Sequence, residues 1–328
     1  MAKIDKFVGI DISKEKFDVC FLEDGQKTQK TFTFTKAGIA SFLKQVPEGA
    51  LCVMESTGNY HVRLADALYE AGKRVSVANP LSVKRYSQML LGRTKTDRKD
   101  ALTIAQYAKM NEEVLRPFQP EADELVEVRQ LMNLLEQYRK QDRQLANLLE
   151  SVSVAAHQSK SVKRDINKTR GHLIRQIEKT EKEIVELINR YNKEDYERLK
   201  SIPGLGAKTA AVLIAVTSGM SRFENYRQVC SYFGMAPRVY ESGKSVRGTA
   251  KICKMGMSTV RKMLYMCALS AKNHNPACKD LYDRLVAAGK AKMVALIAVA
   301  HKLIKIAFAL IKNKTTYDAN FFQKKLAL

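Results

Sequence analysis

Tryptophan is absent from these 328 residues, proline occurs seven times and glycine sixteen times. So little backbone punctuation, beside a hydrophobic content of 45%, excludes a disordered or low-complexity chain and leaves enough apolar material for two or three folding units. No C-x-x-C pair occurs among the six cysteines, Cys20, Cys52, Cys230, Cys253, Cys267 and Cys278. Most of them lie inside apolar runs, which reads as reduced core thiols rather than a disulfide framework. The five histidines have no metal-ligand spacing, so no zinc site is expected. A long uninterrupted apolar run is also missing. The most apolar stretch, Met293 to Ile311, is broken by His301, Lys302 and Lys305, and reads as an amphipathic helix rather than a membrane span. No signal peptide precedes the first strand-like run, so the expected compartment is the cytoplasm. Acidic side chains are scarce, 34 against 56 Lys and Arg, for a net charge of +22. From Ser201 to Leu328 there are 21 basic and 5 acidic residues, so +16 falls in the last segment. An excess of this kind binds a polyanion by releasing its counterions, and nucleic acid is the expected partner.

Strand-like runs cover Phe7 to Ile12 and Phe17 to Glu23, and Asp24-Gly25 marks a turn before a third run, Thr31 to Thr35. A helical stretch near Ala37 to Gln45 follows, then a buried strand Ala50 to Met54, a helix from about Tyr60 to Gly72 and a strand Arg74 to Ala78. A meander followed by alternating helix and strand is the order of a ribonuclease H-like domain. After Pro117 and Pro120, the stretch from Glu121 to Ile202 has no proline and one glycine, Gly171, and its apolar residues recur at three-and-four spacing. This predicts long helices, with a serine-rich break around Ser151 to Gly171 as the tip of an antiparallel arm. From Ser201 onward the texture changes to short helices, glycine turns and basic residues.

Three constellations carry chemistry. Asp11 closes the opening strand and Glu55 the strand Val53-Met54-Glu55, and ends of adjacent strands converge. Asp97 and Asp100, in TKTDRKDA, are three residues apart and share one helix face. Each acid alone reads as a turn former or a helix cap. Four together suit Mg2+, whose preferred ligands are hard oxygens and which, as a pair of ions, serves phosphoryl transfer. Lys95, Arg98 and Lys99 fit beside them as phosphate contacts, the plainer reading being exposed helix charges. The second constellation is Ser201 to Thr209, where Gly204, Gly206 and Lys208 precede or open an apolar helix. It resembles a helix-hairpin-helix element gripping a DNA backbone through free amides, and its plainer reading is a tight turn; P-loop spacing is absent. The third surrounds Ser242 and Ser245 with Arg238, Lys244, Arg247, Lys251, Lys254 and Arg261. Cationic neighbours can favour a serine alkoxide and hold a scissile phosphate, but by chemistry alone a serine in a glycine loop is ordinarily just loop.

The ordered strings GIDISKEKFDV, MESTGNY, RTKTDRKDA, SIPGLGAKTA and FGMAPRVYESGKSVRG, spread over nearly the whole chain, resemble the DEDD-type insertion-sequence transposases. That family includes bridge-RNA-guided recombinases and Piv-type DNA invertases. The resemblance implies an α/β plus α chain. Its parts would be an N-terminal ribonuclease H-like (RuvC-like) catalytic domain at 1–118, a long helical coiled-coil arm at 119–199 and a mostly helical C-terminal transposase domain at 200–328. It implies that Asp11, Glu55, Asp97 and Asp100 bind magnesium, as two ions. It also implies that Ser242, directly before Gly243 as in the family pattern, attacks DNA to form a phosphoserine link, in preference to Ser245. Double-stranded DNA, a structured guide RNA and further copies of the chain, as dimer or tetramer with composite active sites, are the partners it implies. Competing readings are a metal-dependent nuclease or junction resolvase using water, an actin-like ATPase suggested by Gly9-Ile10-Asp11 with Ser13, and a noncatalytic architectural protein.

Overall fold

In the computed structural model, which describes residues 6–56, 58, 60–90, 97–238, 241–242, 246–247 and 251–320, the chain divides into two units, Met1–Glu121 and Ala122–Leu328. The first is built on five strands: β1 (Lys6–Ile12), β2 (Lys16–Glu23), β3 (Gln26–Thr33), β4 (Leu51–Glu55) and β5 (Arg74–Ala78). They lie in the order β3-β2-β1-β4-β5, with β1, β2 and β3 antiparallel and β4 and β5 running parallel to β1. This is the expected meander followed by crossovers. Asp24 and Gly25, both at positive φ (47° and 83°), make the two-residue turn between β2 and β3. Strand β3 starts five residues earlier than its apolar residues suggested. Seven of its eight residues are exposed on this sheet edge, so no alternation marked them.

Side-chain alternation gives the sheet two different faces. Val8, Ile10, Phe17, Val19, Cys52 and Met54 turn one way, onto the cluster that holds Phe42 of α1 (Lys36–Leu43) and Leu64 and Leu68 of α2 (Tyr60–Glu70). Phe7, Cys20, Leu51 and Val53 turn the other way, onto α3 (Pro80–Met89) and α4 (Asp97–Met110). Helix α3 had no apolar signature; Asn79 caps it by accepting from Leu81 N at 2.9 Å, and Pro80 opens it.

The second unit begins with two 32-residue helices, α5 (Asp123–Val154) and α6 (Lys160–Tyr191). Arg139 pairs with Glu181 at 2.5 Å and Arg170 with Asp142 at 2.8 Å. Advancing along α5 therefore retreats along α6, and the helices are antiparallel. The break between them is residues 155–159, shorter than the expected 151–171: the serines near Ser151 stay helical, Ser159 caps α6, and Gly171 lies inside it. Next come α7 (Lys193–Lys200), α8 (Ala207–Thr217) and α9 (Tyr226–Tyr232). Two short ribbons follow, β6 (Pro237–Arg238) with β9 (Lys251–Ile252) and β7 (Glu241–Ser242) with β8 (Val246–Arg247). Helices α10 (Ser258–His274), α11 (Pro276–Ala287) and α12 (Lys292–Asn313) complete the unit.

Residues of α5 and α6, such as Leu125, Val128, Ile184 and Ile188, share one core with those of α7 to α12. By length and composition α12 could cross a membrane, but Leu296, Val299, Leu303 and Ile304 are buried in that core against neighbouring helices. The expected amphipathic helix is thus a core helix. All six cysteines are free, and all but Cys253 are buried. Burial pushes the Cys52 and Cys230 thiols up to about 12 and Cys278 up to about 11, so they are inert at neutral pH.

Candidate active site

The acidic constellation is set by strand register. Gly9 pairs with Val53 and Ile10 with Met54, so Asp11 and Glu55 are the next neighbours at the carboxyl ends of two parallel strands. Alternation puts Asp11 on the face of Gly9 and Glu55 on the face of Val53, the side covered by α4. A Cβ on Gly9 would lie 2.2 Å from the Ala101 carbonyl oxygen and 2.3 Å from Ala105 N. Strand and helix thus touch backbone to backbone, an approach only glycine permits. Phe7 shares a cluster with Ile104 and Ala108, whereas Gly9 meets Ala101 and Ala105. Moving forward along β1 therefore moves back along α4, and the first turn of α4, with Asp97 and Asp100, runs toward the sheet end that carries Asp11 and Glu55.

Asp11, Glu55 and Asp100 each have an interaction partner. Among the described residues no three His, Cys, Asp or Glu side chains form a group able to hold a metal, and the Asp97 side chain lies outside that description. Lys95 and the Arg98 side chain also lie outside the described residues, while Lys99 is exposed. Sequence reasoning passed over Asp18. It stands opposite Asp11 in the β1–β2 ladder, buried on the same face, although between Phe17 and Val19 it reads like any outward polar residue of a half-buried strand. The pairing of residues 11 and 18 across a short hairpin was the available signal.

In the second unit, α7, residues 201–206 and α8 form a helix, a tight turn and a helix. Gly204 holds φ at 93°, and a Cβ there would meet the Ala271 Cβ at 2.5 Å, so this glycine serves turn geometry and packing on α10. Gly206 is the N-cap of α8, and a Cβ there would meet nothing. Lys208 follows in the first turn of α8; its Nζ donates to Glu181 on α6 while its side chain stays 60% exposed.

The basic loop is a pair of ribbons. Arg238 opposes Lys251, Glu241 opposes Arg247, and Ser242 opposes Val246. Ser242 thus begins the crossing between β7 and β8; its side chain, that of Arg247, and all of Lys244 and Ser245 lie outside the described residues. Arg238, Lys251 and Lys254 are exposed. Lys254 N donates to the Gly234 carbonyl at 2.9 Å, and Arg261 Nη1 donates to the Phe233 carbonyl at 2.9 Å, so Arg261 ties α10 to the end of α9.

Known proteins share this arrangement of sequence. Residues 8–158 match a transposase model of the DEDD, IS110 type, and residues 196–283 match the model described as the transposase IS116/IS110/IS902 family. A pilin gene-inverting protein of Moraxella lacunata is 29% identical over 321 residues, 95% of this chain and 97% of its own length. The transposase for insertion sequence element IS1111A of Coxiella burnetii is 24% identical over 341 residues, covering 95% of this chain and 91% of its own. A solved structure of T. thermophilus RuvC in complex with a Holliday junction substrate aligns with 34% of this chain and 99% of that one, at 15% identity and a TM-score of 0.27. With both models matched in order along it, the chain belongs to the IS116/IS110/IS902 family of transposases.

Proposed function

We propose that this transposase cleaves and rejoins double-stranded DNA with Mg2+ held by Asp11, Glu55, Asp97 and Asp100 and with Ser242 as nucleophile. The observation that carries the reading is the row of Asp11 and Glu55 on one face of the sheet, at the end toward which the first turn of α4 runs. Carboxylate oxygens are the hard donors that Mg2+ prefers, so the donor set fits the ion. Bound by these carboxylates, Mg2+ would supply charge stabilisation to the attacking and leaving oxygens. The Ser242 hydroxyl attacks the scissile phosphorus, forming a phosphoserine ester as the bond to a deoxyribose oxygen breaks and that oxygen takes up a proton. Attack on the ester by a deoxyribose hydroxyl of a second strand releases the serine and reseals DNA. Arg238, Lys251 and Lys254, with Lys244 and Arg247 beside the serine in sequence, supply the cationic surroundings such a nucleophile needs. Gly206 and the hairpin before α8 hold a stretch of backbone phosphate.

The proposal extends to a structured guide RNA that chooses the sequence while the protein supplies phosphate contacts and chemistry, to assembly from more than one copy, and to action in the cytoplasm at the nucleoid. The net charge of +22 supports polyanionic partners. Incubation with element-end DNA, Mg2+ and co-purified RNA, followed by denaturing electrophoresis, should yield protein covalently attached to DNA. Ser242→Ala should abolish the adduct, and Asp11→Asn should abolish cleavage; a Ser242→Ala chain that still cuts would assign the chemistry to water.

A further inference from the structure

Helix α6 packs on α5 and buries Ile166, Leu173 and Thr180, which are seven residues apart. At about 3.6 residues per turn, a position two away from any of these points about 200° round the helix, out to solvent. Arg164, Lys168, Gly171 and Arg175 hold such positions, and Lys160, His172 and Lys179 extend the same stripe at steps of three or four. Every one of these side chains is exposed. From Lys160 to Lys179 the stripe runs about 29 Å.

A solvated helix face gains from acids placed four residues from its bases, and this face does the reverse. Lys160 with Arg164, Arg164 with Lys168, and Arg175 with Lys179 are like-charge pairs at i,i+4, which destabilise a helix. The first turn of α6 holds Lys160 and Lys163 and no acid, against the helix dipole. Among the described residues, Arg164 alone of the six cationic positions has an ionic partner, Asp165 at 3.5 Å, with side chains 77% and 71% exposed. A pair so exposed neutralises little, and Glu178 is the other acid at the margin of the stripe. Gly171 is a further cost inside a helix, and packing does not explain it: beyond the helix's own backbone, a Cβ there would meet only Arg175 Nη1, at 3.8 Å.

We infer that this outer face of α6 is a contact for the backbone of duplex DNA, with Gly171 admitting a strand close to the helix. The inference rests on the chain being a DNA-processing enzyme, and it adds to that reading a surface on the helical arm. A row of about 29 Å approaches one turn of B-DNA, about 34 Å, and can meet both backbones beside a groove about 12 Å wide. Apart from its last residue, Tyr191, α6 has no Phe, Tyr or Trp on which an unpaired base could stack, so the face suits paired strands met through their phosphates rather than single-stranded RNA.

The test uses the full chain, a fluorescein-labelled DNA duplex, Ca2+ in place of Mg2+ to hold back cleavage, and anisotropy over a range of KCl concentrations. The triple variant Lys168→Gln, Arg175→Gln, Lys179→Gln keeps good helix formers and should reduce the slope of log K against log[KCl] by about 2–3, at about 0.9 per phosphate contact. Lys27→Gln, Lys30→Gln, Lys36→Gln removes as much exposed charge from the first unit and should leave the slope unchanged. Gly171→Ala should raise the melting temperature and yet weaken binding at every salt concentration, opposite signs that a merely structural glycine would not give. The inference is overturned by an unchanged slope in the first triple variant, even with oligomers lost in sedimentation, or by an equal loss in the second, which would trace the effect to net charge. It is equally overturned by a slope lost only when duplex RNA replaces DNA, or by Gly171→Ala binding as tightly as the parent. Failure of the underlying reading shows elsewhere, as a parent chain whose affinity for duplex DNA is weak and flat with salt.

Discussion

Gly9 carries a heavy structural demand for its size. Its missing side chain lets α4 lie against β1, and that approach sets the depth at which Asp97 and Asp100 stand relative to Asp11. Gly9→Ala should lower the unfolding free energy by about 1–3 kcal/mol, the usual cost of overpacking a core, read from urea denaturation. Loss of cleavage in that variant should exceed its loss of stability, since the helix must move off the acid row; unchanged activity in a destabilised chain would contradict this. His61, at the start of α2, is held below its ordinary value of 6.5 by burial, and among the described residues its Nδ1 is buried without a hydrogen-bond partner. As pH falls below about 6.5 the unfolded chain takes up a proton that the folded chain still refuses. Stability present above that pH is therefore lost on the way down to the folded-state value and then levels off. His61→Gln should flatten this part of the stability-against-pH curve. The sequence offered Asp11 and Glu55 at strand ends, because a polar residue closing an apolar run is visible; Asp18 could be reached only by pairing residues 11 and 18 across the hairpin, and the reason for Gly9 was invisible because it depends on the helix that packs on the sheet.

At the scale of elements, Glu181 joins three helices. It is nearly buried on α6, and it accepts from Arg139 on α5 and Lys208 on α8. Because both cationic partners are partly exposed, the link is worth less than a fully buried pair. Glu181→Gln should lower the unfolding free energy by about 1–2 kcal/mol and raise hydrogen exchange at the start of α8. If exchange there stays as slow as in the parent, the hairpin is held by packing of Gly204 on α10 alone. Lys208 is thus engaged inside the protein as well as partly exposed at its surface, which its place two residues after Gly206 could not reveal. The long helices were legible, since an 82-residue stretch from Glu121 to Ile202 with one glycine and no proline has few other options. Their break was not. Serine costs a helix only a few tenths of a kcal/mol, so Ser151 and Ser153 remain helical although a serine-rich segment looks like a loop. The start of strand β3 was missed for the complementary reason: an exposed edge strand needs few apolar residues, and its Lys27 and Lys30 discourage pairing with another sheet.

For the whole molecule, a charge of +22 with +16 beyond residue 200 implies association dominated by counterion release. Affinity for a DNA duplex should fall by about 10³-fold or more between 50 and 200 mM salt, measured by filter binding or anisotropy. A nearly flat salt dependence would mean that the basic surface serves something other than a polyanion. Composition, charge asymmetry, the absence of C-x-x-C and of long apolar runs, and five ordered motifs were properties of the sequence alone, as was the identity of the family. These follow from residue type and local spacing, which folding does not alter. The tertiary structure decided which carboxylates share a row, that α4 runs back along β1, that Lys16 and Thr31 hold Asp18, and that α12 packs in a core rather than a bilayer. Those facts arise from register and from contacts between residues far apart in the chain. A shift of one position in a strand would turn every acid to the opposite face, with no change in composition or motif to announce it.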